Sequence, residues 1–172
     1  MVDLASKIRK IPDFPKPGIL FYDISTILID PIAFRGAVAR LAALARSFHP
    51  ELLAAIESRG FLLAAPLALE LGIGFVMVRK LGKLPGTVVS HSYDLEYGSD
   101  TLQLADGLIA PGTRALVIDD LIATGGTARA TVELLAKVGA EPLGAVFLIE
   151  LVGLNGMARL GVPGKSVLQF PA

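Results

Sequence analysis

Ala115-Leu116-Val117-Ile118 is an uninterrupted apolar run, followed directly by Asp119-Asp120 and then by Leu121-Ile122-Ala123-Thr124-Gly125-Gly126-Thr127. An apolar run without polar alternation is the pattern of a strand covered on both faces, which belongs to a parallel sheet with helices packed on each side. Downstream, Ala128, Val132, Leu135 and Val138 recur at helical spacing until Gly139, a residue suited to the left-handed position that closes a helix. The loop between them joins the carboxyl end of a strand to the amino end of a helix. There, N–H groups without intrahelical partners and the helix dipole favour an anion such as phosphate.

The rest of the chain repeats the alternation. Asp30 before Pro31 is a helix cap followed by proline at the first helical position, and Ile32, Val38, Leu41, Leu44 and Ala45 supply an apolar face as far as Ser47. Residues 52–56 read as a buried strand ending in Glu57-Ser58-Arg59-Gly60, residues 61–71 as a helix despite Pro66, and residues 75–78 as a strand. Residues 143–151 are the last clear strand, with a short edge at 166–170. From Lys80 to Gln103 the period breaks down, as in a lid, with residues 87–89 and 101–104 suited to a hairpin beneath it. The expected architecture is α/β: a single domain over 1–172 with a doubly wound, mainly parallel sheet flanked by helices.

Composition narrows the chemistry. With 172 residues, 53% hydrophobic and 19% charged, one full-sized core is expected and disorder is not. No apolar stretch approaches the roughly 18 residues that cross a bilayer, and the first ten residues lack a secretory core. A cytoplasmic protein without membrane attachment is the expectation. There are no cysteines, and His49 and His91 are the two histidines, which disfavours a metal cluster of side chains. Net charge is zero and the basic residues are dispersed, so no nucleic-acid partner is expected.

Ligands of such sheets bind beyond the carboxyl ends of the strands. Three ends would converge: residues 57–60, Arg79-Lys80, and Asp119-Asp120 with its loop. That loop lacks the lysine and length of a nucleoside-triphosphate P-loop. It offers a short cup instead, in which Gly125 and Gly126 allow close backbone approach and the hydroxyls of Thr124 and Thr127 add donors. Carboxylates beside the cup suit vicinal sugar hydroxyls, so together they describe a site for a 5-phosphoribosyl group.

On these residues the chain resembles the type I phosphoribosyltransferases, and more narrowly the adenine-specific members. The resemblance also covers residues 14–21 (Phe-Pro-Lys-Pro-Gly-Ile-Leu-Phe), 57–61 (Glu-Ser-Arg-Gly-Phe), 79–86 (Arg-Lys-Leu-Gly-Lys-Leu-Pro-Gly) and 93–98 (Tyr-Asp-Leu-Glu-Tyr-Gly). It implies reversible transfer of phosphoribose from phosphoribosyl pyrophosphate to N9 of adenine, giving AMP and pyrophosphate. Magnesium would be held mainly by substrate and water. Glu57, Ser58, Arg59, Arg79, Lys80, Lys83 and Tyr97 would serve pyrophosphate and the lid, with a cis peptide at Glu57-Ser58. Asp119, Asp120, Ala123, Thr124, Gly125, Gly126 and Thr127 would hold phosphoribose.

The resemblance further implies that Arg59, Lys83 and Glu96 are catalytic, Glu96 as acid or base near the purine. Residues 1–30 would form an N-terminal helix and a base-binding hood. Phe21 would stack on adenine opposite Leu121, while backbone groups of Leu20 and Tyr22 read the base edge. A mobile catalytic loop would occupy about 80–103, with His91 as exposed loop, and a homodimer is expected because a basic residue near 79–80 reaches the neighbouring subunit. Tyr22 stands where relatives often carry Arg, and Thr26 where some carry Pro. Alternatives are a transferase for xanthine or hypoxanthine, against which Ala123 argues because it lacks the acid used there, and a non-catalytic sensor of phosphoribosyl pyrophosphate.

Overall fold

The structure, a computed structural model, describes residues 2–94 and 98–172. In chain order come β1 (Arg9–Ile11), β2 (Phe21–Asp23), α1 (Ser25–Leu28), α2 (Pro31–Arg46), β3 (Leu52–Ile56), α3 (Arg59–Leu71) and β4 (Gly74–Lys80), then β5 (Val88–Asp94), β6 (Ser99–Ala105), β7 (Arg114–Ile122), α4 (Gly126–Lys137), β8 (Glu141–Val152) and β9 (Gly164–Pro171). The main sheet has the order β5-β6-β4-β3-β7-β8-β9. Its five strands from β4 to β9 are parallel, and the β5–β6 hairpin joins antiparallel at one end. The doubly wound, mainly parallel α/β fold is therefore present.

Strand alternation divides the core into two layers. Leu53, Ala55, Leu116 and Ile118 face the α2 and α3 side, where Ala37, Leu41, Leu63 and Leu67 are buried. Ala54, Ile56, Ala115 and Val117 face the other way and pack with Val132, Leu134 and Leu135 of α4. Both faces of β3 and β7 are thus covered, as their continuous apolar runs require.

The Asp30 side chain accepts from the N–H groups of Ile32 and Ala33, with Pro31 opening α2. The buried face of α2 is nevertheless rotated from the expected one. Ala33, Ala37, Leu41, Ala42 and Ala45 are buried, while Ile32 is 73% exposed, because small residues let α2 lie close on the sheet. The expected N-terminal helix is a single 3₁₀ turn, Ala5–Lys7, followed by the β1–β2 hairpin. β7 does not stop at the acids. It pairs with β8 from Arg114 through Ile122, so Asp119 and Asp120 lie within a hydrogen-bonded strand.

Candidate functional site

Asp119 and Asp120 point to opposite sides of β7, and each finds a different neighbourhood. Asp119 keeps part of its surface open, whereas Asp120 is only 4% exposed. The Asp119 Oδ1 accepts from the N–H of Asp120 at 2.8 Å. Arg59 Nε lies 3.0 Å from Asp120 Oδ2, an oxygen that has no hydrogen-bond partner among the described residues. Burial pushes the Asp119 carboxyl well above the usual carboxylate range, and the Asp120 charge pushes the same way. Burial also raises Asp120, against the pull of the Arg59 guanidinium. The pair is therefore a poorly solvated acceptor site, suited to hydroxyl donors that would restore the lost hydrogen bonds.

Arg59 reaches Asp120 because α3 begins hard against β7. A methyl group on Gly60 would lie 2.9 Å from the Ile118 carbonyl oxygen and 3.0 Å from Asp119 Oδ1, so only glycine permits that approach. The peptide Glu57-Ser58 is cis, as expected from the resemblance. The same cavity, of about 380 Å³, is lined by residues 56–59, Lys80 and residues 119–128. All of the expected phosphoribosyl residues thus share one cavity with Glu57, Ser58, Arg59, Lys80 and Leu121.

The cup itself is backbone. Gly125 has a left-handed φ of 84° and precedes α4, whose first turn has no side-chain cap. Its N–H groups thus remain for a ligand oxygen. Thr127 Oγ1 lies 3.0 Å from Tyr93 Oη, which ties the β5 strand to the cup.

On the basic side, Glu57 holds the Arg79 guanidinium and the Lys80 main chain instead of facing the cavity as a free carboxylate. Arg79 donates to its Oε1 at 3.2 Å, and the Lys80 N–H donates to its Oε2 at 2.9 Å. Burial opposes ionisation of Glu57, but these donors outweigh it and hold the carboxyl below its ordinary value. A second Arg79 nitrogen donates to the Lys83 carbonyl oxygen. Lys80 Nζ pairs with Asp100 at 3.1 Å. Lys83 itself is exposed and has no ion pair among the described residues.

Above the cavity, the Arg59 guanidinium carbon sits 4.9 Å from the Phe21 ring centroid, and Phe14 packs edge-on against the same ring at 5.1 Å. Leu20 is exposed. The Tyr22 side chain turns into the core, stacked on Phe170 at 4.8 Å with its hydroxyl donating to the Pro171 carbonyl oxygen. The Tyr22 side chain is thus committed to the core and only its main chain can face the site. Thr26 donates to the Lys7 carbonyl oxygen, away from the cavity.

His91 is a correction: it lies on β5, part-buried, with Nε2 2.8 Å from Glu133 Oε2. The strand is anchored there because Lys137 also reaches the Ser90 carbonyl oxygen. The expected residues Glu96 and Tyr97 lie outside the described residues. Tyr93 and Gly60 escaped assignment to the site, although both stand inside the motifs that carry the resemblance.

A family model described as phosphoribosyl transferase domain matches residues 24–166. The adenine phosphoribosyltransferase of Rhodospirillum rubrum is 55% identical over 169 residues, spanning 98% of this chain and 99% of its own. That of Gluconacetobacter diazotrophicus is 57% identical over 169 residues, with 98% and 96% covered. The crystal structure of the Thermoanaerobacter pseudethanolicus enzyme matches with a TM-score of 0.94 at 44% identity, covering 97% of this chain and 98% of the other. The Saccharomyces cerevisiae enzyme, crystallised with an imino-altritol bisphosphate and adenine, matches at 0.90 with 38% identity, covering 95% of each chain.

Proposed function

This chain belongs to the phosphoribosyltransferase family, and from that premise we infer that it transfers 5-phosphoribose from phosphoribosyl pyrophosphate to N9 of adenine, releasing AMP and pyrophosphate. The observation that carries this function is the shared cavity of the Asp119-Asp120 pair, the residue 123–127 cup and the Arg59 guanidinium. The 5-phosphate takes the backbone donors of the cup, and the ribose hydroxyls donate to the two poorly solvated carboxylates. Ala123 leaves no carboxyl group at the position where an acid would protonate a 6-oxopurine.

As the bond from the anomeric carbon to pyrophosphate breaks, positive charge grows on the sugar and negative charge on the leaving group. Cations fixed beforehand at that leaving group lower the barrier because they need no reorganisation. Arg59, Lys80 and Lys83 have that role, with the Arg79 guanidinium oriented by Glu57 and the Lys80 ammonium by Asp100. Adenine lies between Phe21 and Leu121, and the backbone of Leu20 and Tyr22 reads its edge. N9 attacks the anomeric carbon, and the N9 proton passes to a base, for which Glu96 is the candidate. Tyr97 belongs to the closing segment, which excludes water from an activated sugar.

Magnesium suits this site. Among the described residues no three His, Cys, Asp or Glu side chains gather to hold an ion alone, so the ion would be held mainly by substrate phosphates and water, beside the partly open Asp119 carboxyl. When bound it neutralises charge on pyrophosphate. A homodimer is part of the same proposal. Phe75 and Met77 of β4 and Leu62 of α3 leave apolar surface open on the α3 side of the sheet, beside Arg79. Residence in the cytoplasm follows from the substrate, since a multiply charged sugar phosphate stays in the compartment that makes it. Among the described residues no helix is long and apolar enough to cross a membrane.

With magnesium and phosphoribosyl pyrophosphate, the protein should convert adenine to AMP far faster than it converts hypoxanthine, guanine, xanthine or orotate. Comparable turnover of any of these would overturn the assignment. Glu96→Gln with an unchanged rate would remove that residue from proton transfer.

A further inference from the structure

The turn between β8 and β9 packs against the phosphate cup and contributes no residue to the lining of the catalytic cavity. Gly156 is buried there, and Asn155 before it adopts a left-handed φ of 56°. Gly156 and Gly125 exclude side chains from each other. A methyl group on Gly125 would lie 2.5 Å from the Gly156 carbonyl oxygen. One on Gly156 would collide with the Ala123 carbonyl oxygen and lie 2.8 Å from the Ile122 side chain. The Gly156 carbonyl is itself tied down by the Arg159 N–H at 3.1 Å. Arg159 Nη1 then reaches back to the Thr124 carbonyl oxygen at 3.5 Å.

These contacts fix directions, because in a planar trans peptide the C=O and the following N–H point opposite ways. The Ala123 carbonyl faces Gly156, so the Thr124 N–H points away from the turn. The Thr124 carbonyl faces Arg159, so the Gly125 N–H points away from it as well, and both Thr124 and Gly125 line the catalytic cavity. We propose that Gly156 and Arg159 are positioning residues for 5-phosphate binding, aiming the cup's N–H groups: Gly156 leaves room for the Ala123 carbonyl to turn toward it, and Arg159 bonds the Thr124 carbonyl. Neither touches substrate. The inference rests on the phosphoribosyl function above and adds a second segment, about thirty residues further along the chain, to the site's construction.

The test compares Gly156→Ala, Arg159→Met and Arg159→Lys with the parent protein and with Ala158→Ser, an exposed change in the same turn. Steady-state rates give separate KM values for phosphoribosyl pyrophosphate and adenine, and calorimetry gives the affinities of AMP and adenosine. Gly156→Ala should raise KM for phosphoribosyl pyrophosphate by about tenfold or more, since misaimed donors lose charge-assisted hydrogen bonds, and leave KM for adenine within about twofold. The AMP-to-adenosine affinity ratio should shrink by about tenfold. Arg159→Met should shift the same ratio less, with Arg159→Lys partly restoring it.

Equal losses for AMP and adenosine, or a lower thermal midpoint with unchanged KM values, would overturn the proposal by marking the turn as merely structural. If Gly156→Ala does not fold, an unchanged ratio in Arg159→Met overturns it alone. A parent protein that binds AMP but does not turn over adenine would count against the proposed reaction, leaving the ratio as the separate readout for the turn.

Discussion

The floor of the site and its roof are built by different means. The floor is the end of β7, the cup and the start of α3, and it is defined by backbone: a strand end paired with β8 through Ile122, a left-handed Gly125, and glycines at 60 and 156 where chains touch. The roof is the segment through Phe21 and the β5–β6 hairpin, and it rests on the floor through side chains. Arg59 lies over Phe21, Tyr93 meets Thr127, and Lys80 pairs with Asp100. Backbone donors fixed by a left-handed glycine and by close-packed neighbouring backbone need no side-chain rearrangement to keep their aim. Side-chain contacts between partly exposed groups are individually weak and can be exchanged for substrate contacts. A site that must hold a phosphate firmly and still admit a base needs both constructions.

The comparison breaks most sharply at the floor. Replacing Asp119 and Asp120 together by Asn should lower turnover by about a thousandfold or more, because the ribose loses its orientation, while circular dichroism stays native; near-normal turnover would remove the acids from the reaction. At the roof, Phe21→Ala should raise KM for adenine by about tenfold with KM for phosphoribosyl pyrophosphate nearly unchanged. Equal increases in both would mean that roof and floor are not separate.

A smaller effect concerns the cost of the floor without ligand. Asp119 titrates well above its ordinary value when folded, so the folded chain keeps a proton that the unfolded chain releases. That contribution is full below the ordinary aspartate range and is lost as pH rises through the raised value. Asp119→Asn should therefore raise the thermal midpoint of the ligand-free protein by about 3 °C at neutral pH and by less in acid. No gain at neutral pH would show that the carboxylate is stabilised by contacts rather than strained by burial. Smallest of all, His91→Ala cuts one partly exposed tie between hairpin and α4 and should cost less than about 1 kcal/mol of stability, measured by denaturant unfolding. A larger loss would make the hairpin part of the rigid floor.

Legibility follows the same division. β7, the cup and α4 are contiguous, so apolar period, paired acids and glycines announce them within 24 residues, 114–137. The β5–β6 hairpin is harder to read: alternating polar and apolar groups look irregular until the register pairs Val88 with Ala105 and Asp94 with Ser99. His91 reads as loop because its partner, Glu133, is 42 positions away on another element. Ile32 reads as core because helical spacing cannot tell which of two adjacent faces meets the sheet.

Local chemistry was determined by the sequence alone: where a helix begins with an anion cup, which side chains are acidic, and that position 123 carries no acid. Those properties depend on near neighbours and backbone preference. Tertiary structure decided what faces what. It turned the Tyr22 side chain into the core, gave the Glu57 carboxylate to Arg79 and Lys80, and set Gly156 beneath a loop about thirty residues earlier. Such contacts depend on how elements distant in sequence pack, and no local pattern encodes that distance.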